Sequence, residues 1–182
     1  PETGVSLMRM DAGLDTGPLV AQVRLRLDGT ETTPVLEAHL ASLGADLLAR
    51  SIEPWLGGRL AEVPQAEVGV TTTRPLRRAD GRLDPTRPGR HLERMVRAYQ
   101  PWPGTWFETA DGRIVVWATE AFMVAPDGPV SDDRVGWLRA DGDGLALATI
   151  DGRLRLLEVQ PAHQRRARRP VPVRHVRDAL AV

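Results

Sequence analysis

Residues 4–27, GVSLMRMDAGLDTGPLVAQVRLRL, decide how the opening segment of the chain folds. GVSLMRM (4–10) alternates apolar with small or polar residues, and Val5, Leu7 and Met8 give it strand character. PLVAQVRLRL (18–27) sets Val20, Val23, Leu25 and Leu27 against Arg24 and Arg26, which predicts a second strand. Between the two, MDAGLDTG crowds two acids, two glycines and a threonine, the composition of a loop. DGTETT (28–33) turns the chain, and from Pro34 to Leu56 the period becomes helical. Leu36, Leu40, Leu43, Leu47, Ile52 and Trp55 recur at spacings of three to five. Thr33 is placed to cap this helix and Pro34 suits its first position. Pro54 is expected to kink or shorten the last turn, and Gly57 and Gly58 stop it. Strand, loop, strand and helix in this order read as the closing section of an open α/β sheet, not as a complete domain.

Residues 59–88 carry four prolines, several threonines and many charges without a sustained period, so they read as a linker. Leu92, Met95, Val96 and Tyr99 share one face, which predicts a short helix from Pro88 to Tyr99, ended by PWPG (101–104). Short apolar runs then follow one another across Asp-Gly pairs: TWFET, RIVVWATEAF, VGWLRA, LALATI and RLRLLEVQ. Asp-Gly between alternating runs is a strong hairpin signal, and its repetition predicts a small antiparallel barrel or sandwich. Trp117 and Trp137 are expected to fill that barrel, while Trp102 and Trp106 are expected in turn or core packing. HQRRARRP (163–170) is an arginine cluster, and a last short helix is expected near His175–Leu180.

The absence of cysteine excludes disulfides, thiolate catalysis and cysteine-based zinc sites, and fits a reducing compartment. No apolar run approaches the roughly 20 residues of a membrane helix. The N-terminus lacks the basic and apolar blocks of a secretory leader, and the first residue is Pro1, so the sequence is expected to begin inside a longer protein. The net charge of zero hides an asymmetry: residues 1–70 hold 5 Arg against 10 acids, and residues 71–182 hold 19 Arg against 14. Every cation other than histidine is arginine, which codon composition alone can produce. The split between the two parts is different in kind, and points to an anionic partner for the C-terminal part.

In their order, these landmarks resemble the methionyl-tRNA formyltransferase family. ETGVSLMRMDAGLDTGPLVAQ resembles its last active-site strand, loop and following strand, and HLASLGADLL its next helix. RPLRRADGRLD resembles its linker motif, LERMVRAYQPWPGTW the first helix and turn of its C-terminal domain, and RLRLLEVQPAHQRRA its last strand and basic tail. The resemblance covers nearly the whole chain. It implies the end of a Rossmann-like catalytic domain (1–58), a linker (59–87) and an antiparallel OB-like β-barrel domain that binds tRNA (88–182). It further implies transfer of a formyl group from 10-formyltetrahydrofolate to the amino group of initiator methionyl-tRNA, without a metal, in a cytoplasmic enzyme that is monomeric when complete.

The family's catalytic trio is Asn, His and Asp. The motif places the Asp at Asp15, while the Asn and His belong to a segment ahead of Pro1, so this chain is expected to be inactive alone. Met10, Asp11, Ala12, Gly13 and Leu14 are implied as the wall that holds the folate. Arg74, Arg77 and Arg78 in the linker, and Arg165, Arg166, Arg168 and Arg169 in the tail, are implied as tRNA contacts, since guanidinium groups match phosphate geometry. Three positions depart from the pattern: Arg78 stands for a usual Lys, Ala79 for a usual acid and Pro85 for a usual Trp. From the residues alone, MDAGLDTG reads as a turn in which Asp caps a backbone N–H and Gly supplies positive φ. None of the four histidines falls where a general base is needed. Two other functions stay open, a sugar-nucleotide formyltransferase and a non-catalytic RNA-binding module.

Overall fold

The computed structural model describes residues 1–109, 112–123, 135–142, 144–161 and 171–172. These divide into two compact units, Pro1–Pro75 and Leu76–Val182.

In the first unit, strands β1 (Glu2–Met8) and β2 (Leu19–Arg26) pair antiparallel, with Val5 opposite Val23. Alternation puts Thr3, Val5, Leu7, Ala21, Val23 and Leu25, all half-buried, on one face. Helix α1 (Thr33–Leu56) lies on that face, close enough at Gly44 that an added Cβ would stand 3.4 Å from the Val5 side chain. The other face is polar: Gln22 donates to Ser6 at 2.8 Å, and Arg24 pairs with Glu2 at 3.4 Å. The helix cap falls one residue earlier than the sequence suggests. Thr32 is the N-cap, and its side chain makes no capping bond. Nor does Pro54 end the helix, which runs on to Leu56. A proline there forfeits one backbone bond close to the end, where Gly57 N–H still reaches the Glu53 carbonyl at 3.0 Å. Beyond α1 the chain returns to β2, and Val63 exchanges both backbone bonds with Leu19, at 2.8 and 2.9 Å.

The second unit begins inside the stretch read as a linker. A 3-10 turn (Arg78–Gly81) leads to Leu83, which is only 2% exposed and sits in the core. Its N–H donates to the Trp106 carbonyl at 2.8 Å. An apolar residue between charged neighbours shows no period, so its burial was invisible in the sequence. Helix α2 (Gly89–Ala98) buries Leu92 and Val96, as its spacing predicts. Strands β3 (Thr105–Thr109), β4 (Gly112–Met123), β5 (Leu138–Asp141), β6 (Gly144–Thr149) and β7 (Gly152–Pro161) run in the order β3-β4-β7-β6-β5, with β8 (Val171–Pro172) also on β7.

All neighbouring pairs are antiparallel. The three Asp-Gly hairpins form, with Thr109 paired to Gly112, Asp141 to Gly144 and Thr149 to Gly152. In each, a glycine opens the next strand: Gly112 in β4, Gly144 in β6 and Gly152 in β7. Gly112 has φ 116°, a value that L side chains rarely adopt. Among the described residues the sheet path is open, with no pairing between β3 and β5. Leu83, Leu92, Val96, Phe107, Ile114, Val116, Leu145, Leu147, Leu154, Leu156 and Val159 form one apolar cluster. Trp137 is no part of it. It is 51% exposed, just ahead of β5, with Arg139 over its ring at 5.6 Å, because aliphatic side chains already fill the interior. The helix expected at 175–180 lies outside the described residues.

Candidate functional site

The loop between β1 and β2 is shaped by one acid and two glycines. Asp11 Oδ1 accepts from the Gly13 N–H at 2.9 Å and from the Thr16 hydroxyl at 2.7 Å. The Thr16 bond, then the Gly13 bond and the charge of Arg9 hold the Asp11 carboxyl below its ordinary value. A Cβ at Gly17 would lie 1.8 Å from the Arg9 carbonyl oxygen, so only glycine fits where the loop closes on itself. Arg9 N–H donates to the Pro18 carbonyl at 3.0 Å, which pins the loop at its neck.

Asp15 is exposed at the tip, and it is the non-glycine residue with positive φ among those described, at 57°. That left-handed conformation is uncommon but accessible to Asp. Met10 and Leu14 flank the tip with 83% and 89% of their surfaces in solvent. Asp11 therefore uses its carboxylate to build the loop, while the Asp15 carboxylate stays at the surface.

Residues after α1 take hold of this loop. Arg9 Nε pairs with Glu62 at 2.9 Å, and Trp55 Nε1 donates to the same carboxylate at 3.2 Å. The Arg9 bond, then desolvation opposed by the Trp55 bond, leave Glu62 below its ordinary value. Gln65 Nε2 donates to the carbonyls of Asp15 and Gly17, at 2.8 and 2.7 Å. Between the loop and the returning segment opens a cleft of about 740 Å³, lined by Leu14, Asp15, Thr16, Pro18, Gln65, Glu67 and Thr71 to Thr73 among others. Its size lies within the range of small-molecule sites. Glu62 and Gln65 were missed in the sequence, where a Pro-rich stretch gives no sign that it folds back on a loop some 50 positions earlier.

Of the arginines named from the sequence, three are described. Arg74, in the first unit, donates to the Pro75 carbonyl at 3.0 Å. In the second, Arg77 N–H caps the 3-10 turn through Asp80 at 2.6 Å. The Arg78 guanidinium lies 4.8 Å from the centre of the half-exposed Trp102 ring, and its carbonyl accepts from Trp106 Nε1 at 3.2 Å. Trp106 in turn carries Arg113 at 3.8 Å. Arg165, Arg166, Arg168 and Arg169 lie outside the described residues, as do His163 and His175. His39 and His91 are exposed on α1 and α2. No group of three or more potential metal ligands occurs among the described residues, and no described helix is long and apolar enough to cross a membrane.

Residues 75–170 match a family model described as formyl transferase, C-terminal domain. A methionyl-tRNA formyltransferase of Phenylobacterium zucineum is 38% identical over 160 residues, which cover 87% of this chain and 50% of that protein. The chain thus spans about half the length of the curated relatives it matches. Among solved structures, HypX from Aquifex aeolicus superposes with a TM-score of 0.68 at 15% identity, over 98% of this chain and 31% of its own. An N-formyltransferase from Helicobacter canadensis, in complex with folinic acid and dTDP-3-aminofucose, does so at 0.64 and 14%, over 85% and 55%. At these identities the structures share the fold.

Proposed function

The chain belongs to the formyl transferase family, and from that membership we propose that it is the C-terminal portion of a methionyl-tRNA formyltransferase. The observation that carries this reading is the 38% identity to such an enzyme across 87% of the chain, through both compact units. Residues 1–58 are then the end of a Rossmann-like catalytic domain, residues 59–87 the linker, and the open antiparallel sheet of the second unit belongs to an OB-like barrel. The complete enzyme works as a cytoplasmic monomer without a metal. It moves a formyl group from 10-formyltetrahydrofolate to the amino group of initiator methionyl-tRNA.

In that reaction the amine lone pair attacks the formyl carbon. The tetrahedral oxyanion needs a donor, and a proton must pass from the amine to the leaving nitrogen. Asp15 serves as the carboxylate that orients an imidazole and favours its protonated form, since an opposite charge nearby raises a histidine pKa. The exposed backbone of Met10, Ala12, Gly13 and Leu14 faces the folate, with Asp11 holding its shape. Arg74, Arg77, Arg78, Arg165, Arg166, Arg168 and Arg169 meet tRNA phosphates. The chain contains no asparagine to bind the oxyanion, so the purified chain is expected to bind tRNA without turning over.

Competition binding tests the assignment. Initiator methionyl-tRNA is expected to bind with an affinity that falls as salt rises. A dTDP-linked amino sugar is expected not to displace it. Displacement by the sugar, or affinity indifferent to salt, would overturn the reading in favour of a sugar-nucleotide formyltransferase.

A further inference from the structure

We propose that Gln65 is a positioning residue for Asp15. It would fix the direction in which that carboxylate is presented to the cleft without touching substrate itself. The inference rests on the formyltransferase reading for its functional consequence and on geometry alone for the clamp.

Asp15 occupies the left-handed backbone region, at φ 57°. Outside glycine this region costs free energy and persists only where the surroundings enforce it. The enforcing group is the Gln65 amide. Its nitrogen has two hydrogens and meets two backbone carbonyls, Asp15 at 2.8 Å and Gly17 at 2.7 Å, with the Met8 sulfur farther off at 3.8 Å. Both partners are acceptors, so the amide can face them only through its nitrogen and its orientation is determined. The two carbonyls belong to the Asp15–Thr16 and Gly17–Pro18 peptides. Holding both fixes the peptide planes at the two ends of the Thr16–Gly17 pair, and the first of them sets the backbone that aims the Asp15 side chain.

The anchor is itself held. Two residues before Gln65, Val63 is paired to Leu19 by two backbone bonds, and one residue before that Glu62 binds Arg9. Gln65 therefore bridges a braced segment to the loop tip. It also lines the same cleft as Asp15 and Thr16. Other residues can replace parts of this: Arg9 and Glu62 secure the neck, and Asp11 shapes the first half of the loop. Among the described contacts, the Gln65 bond is the one to Asp15's own carbonyl.

The test compares Gln65→Met, which keeps length and removes both donors, with Gln65→Ala. In the whole chain, backbone couplings and amide exchange of residues 13–17 are read by nuclear magnetic resonance. Asp15 is expected to leave positive φ and the loop amides to exchange ~10-fold faster, while β1 and β2 remain as they were. In the full-length enzyme, kcat for formyl transfer is expected to fall ~10- to 100-fold in both variants with KM for tRNA unchanged, as for misplacement of a reacting group. An unchanged loop in Gln65→Met overturns the clamp whatever the activity. A loosened loop with kcat intact, or a loss confined to KM, overturns the positioning role. Absence of transfer by the unsubstituted enzyme counts against the formyltransferase reading alone, and the loop measurements still decide the clamp.

Discussion

The two units bury apolar surface in very different amounts. Of the 14 buried hydrophobic residues described, Leu47 alone lies in the first unit and the other 13 lie in the second. The second unit folds a sheet and a helix around a continuous aliphatic interior. The first has one helix on one face of two strands, with Leu48, Ile52, Leu56, Val68 and Val70 left in solvent. Its order near the cleft comes instead from polar bonds: Asp11 to Thr16, Arg9 to Glu62 and Gln65 to two carbonyls. Apolar burial contributes about 25 cal/mol per Å², while an exposed polar bond nets little, so the two units should differ in resistance to opening.

Hydrogen exchange over the whole chain should show the largest effect. Amides of β6 and β7 are expected to exchange ~100-fold or more slowly than those of β1, β2 and the Asp15 loop. Comparable protection in the two would break the contrast. Next in size is a cavity. Leu154 is completely buried on β7, so Leu154→Ala is expected to cost ~2–5 kcal/mol of second-unit stability in a denaturant titration. Leu47→Ala should leave that transition where it was.

A matched pair of glycines sharpens the comparison further. A Cβ would stand 1.8 Å from a carbonyl oxygen at Gly17 and 1.9 Å at Gly81. Gly81→Ala is expected to lower the second unit's midpoint by ~1–3 kcal/mol, as overpacking does. Gly17→Ala should loosen only the loop, seen as loss of its ordered resonances.

The smallest effect is acid loosening of the loop. Asp11 and Glu62 are held below their ordinary values of 3.8 and 4.5, each by the bonds it accepts. A depressed carboxyl favours the ordered state fully above its ordinary value. That support drains away as pH falls through the lowered one. Loop resonances are therefore expected to broaden below about pH 4 while β6 and β7 persist. A loop unchanged to pH 2 would show that these carboxylates do not hold it.

Legibility in the sequence followed the range of the interactions. Helix α1 and the three hairpins rest on local periodicity and turn chemistry, and both could be read directly. MDAGLDTG could be read as a loop because Asp11 and its partners lie within five positions of one another. Leu83 could not be placed in the core, because what buries it is the Trp106 strand and the sheet beyond. Trp137 was misplaced because a strand pattern does not say which face finds the interior. Gln65 was hidden for the same reason: its partners, Asp15 and Gly17, are 50 and 48 positions away.

The proposed function makes Asp15 the carboxylate of a formyl-transfer site. Its most direct test is single-turnover transfer from 10-formyltetrahydrofolate to initiator methionyl-tRNA by the full-length enzyme, with and without Asp15→Asn. A fall of ~10²–10⁴-fold in the rate, with tRNA affinity unchanged, is the expected result for loss of a group that supports proton transfer. An Asp15→Asn enzyme as fast as the unsubstituted one would contradict it.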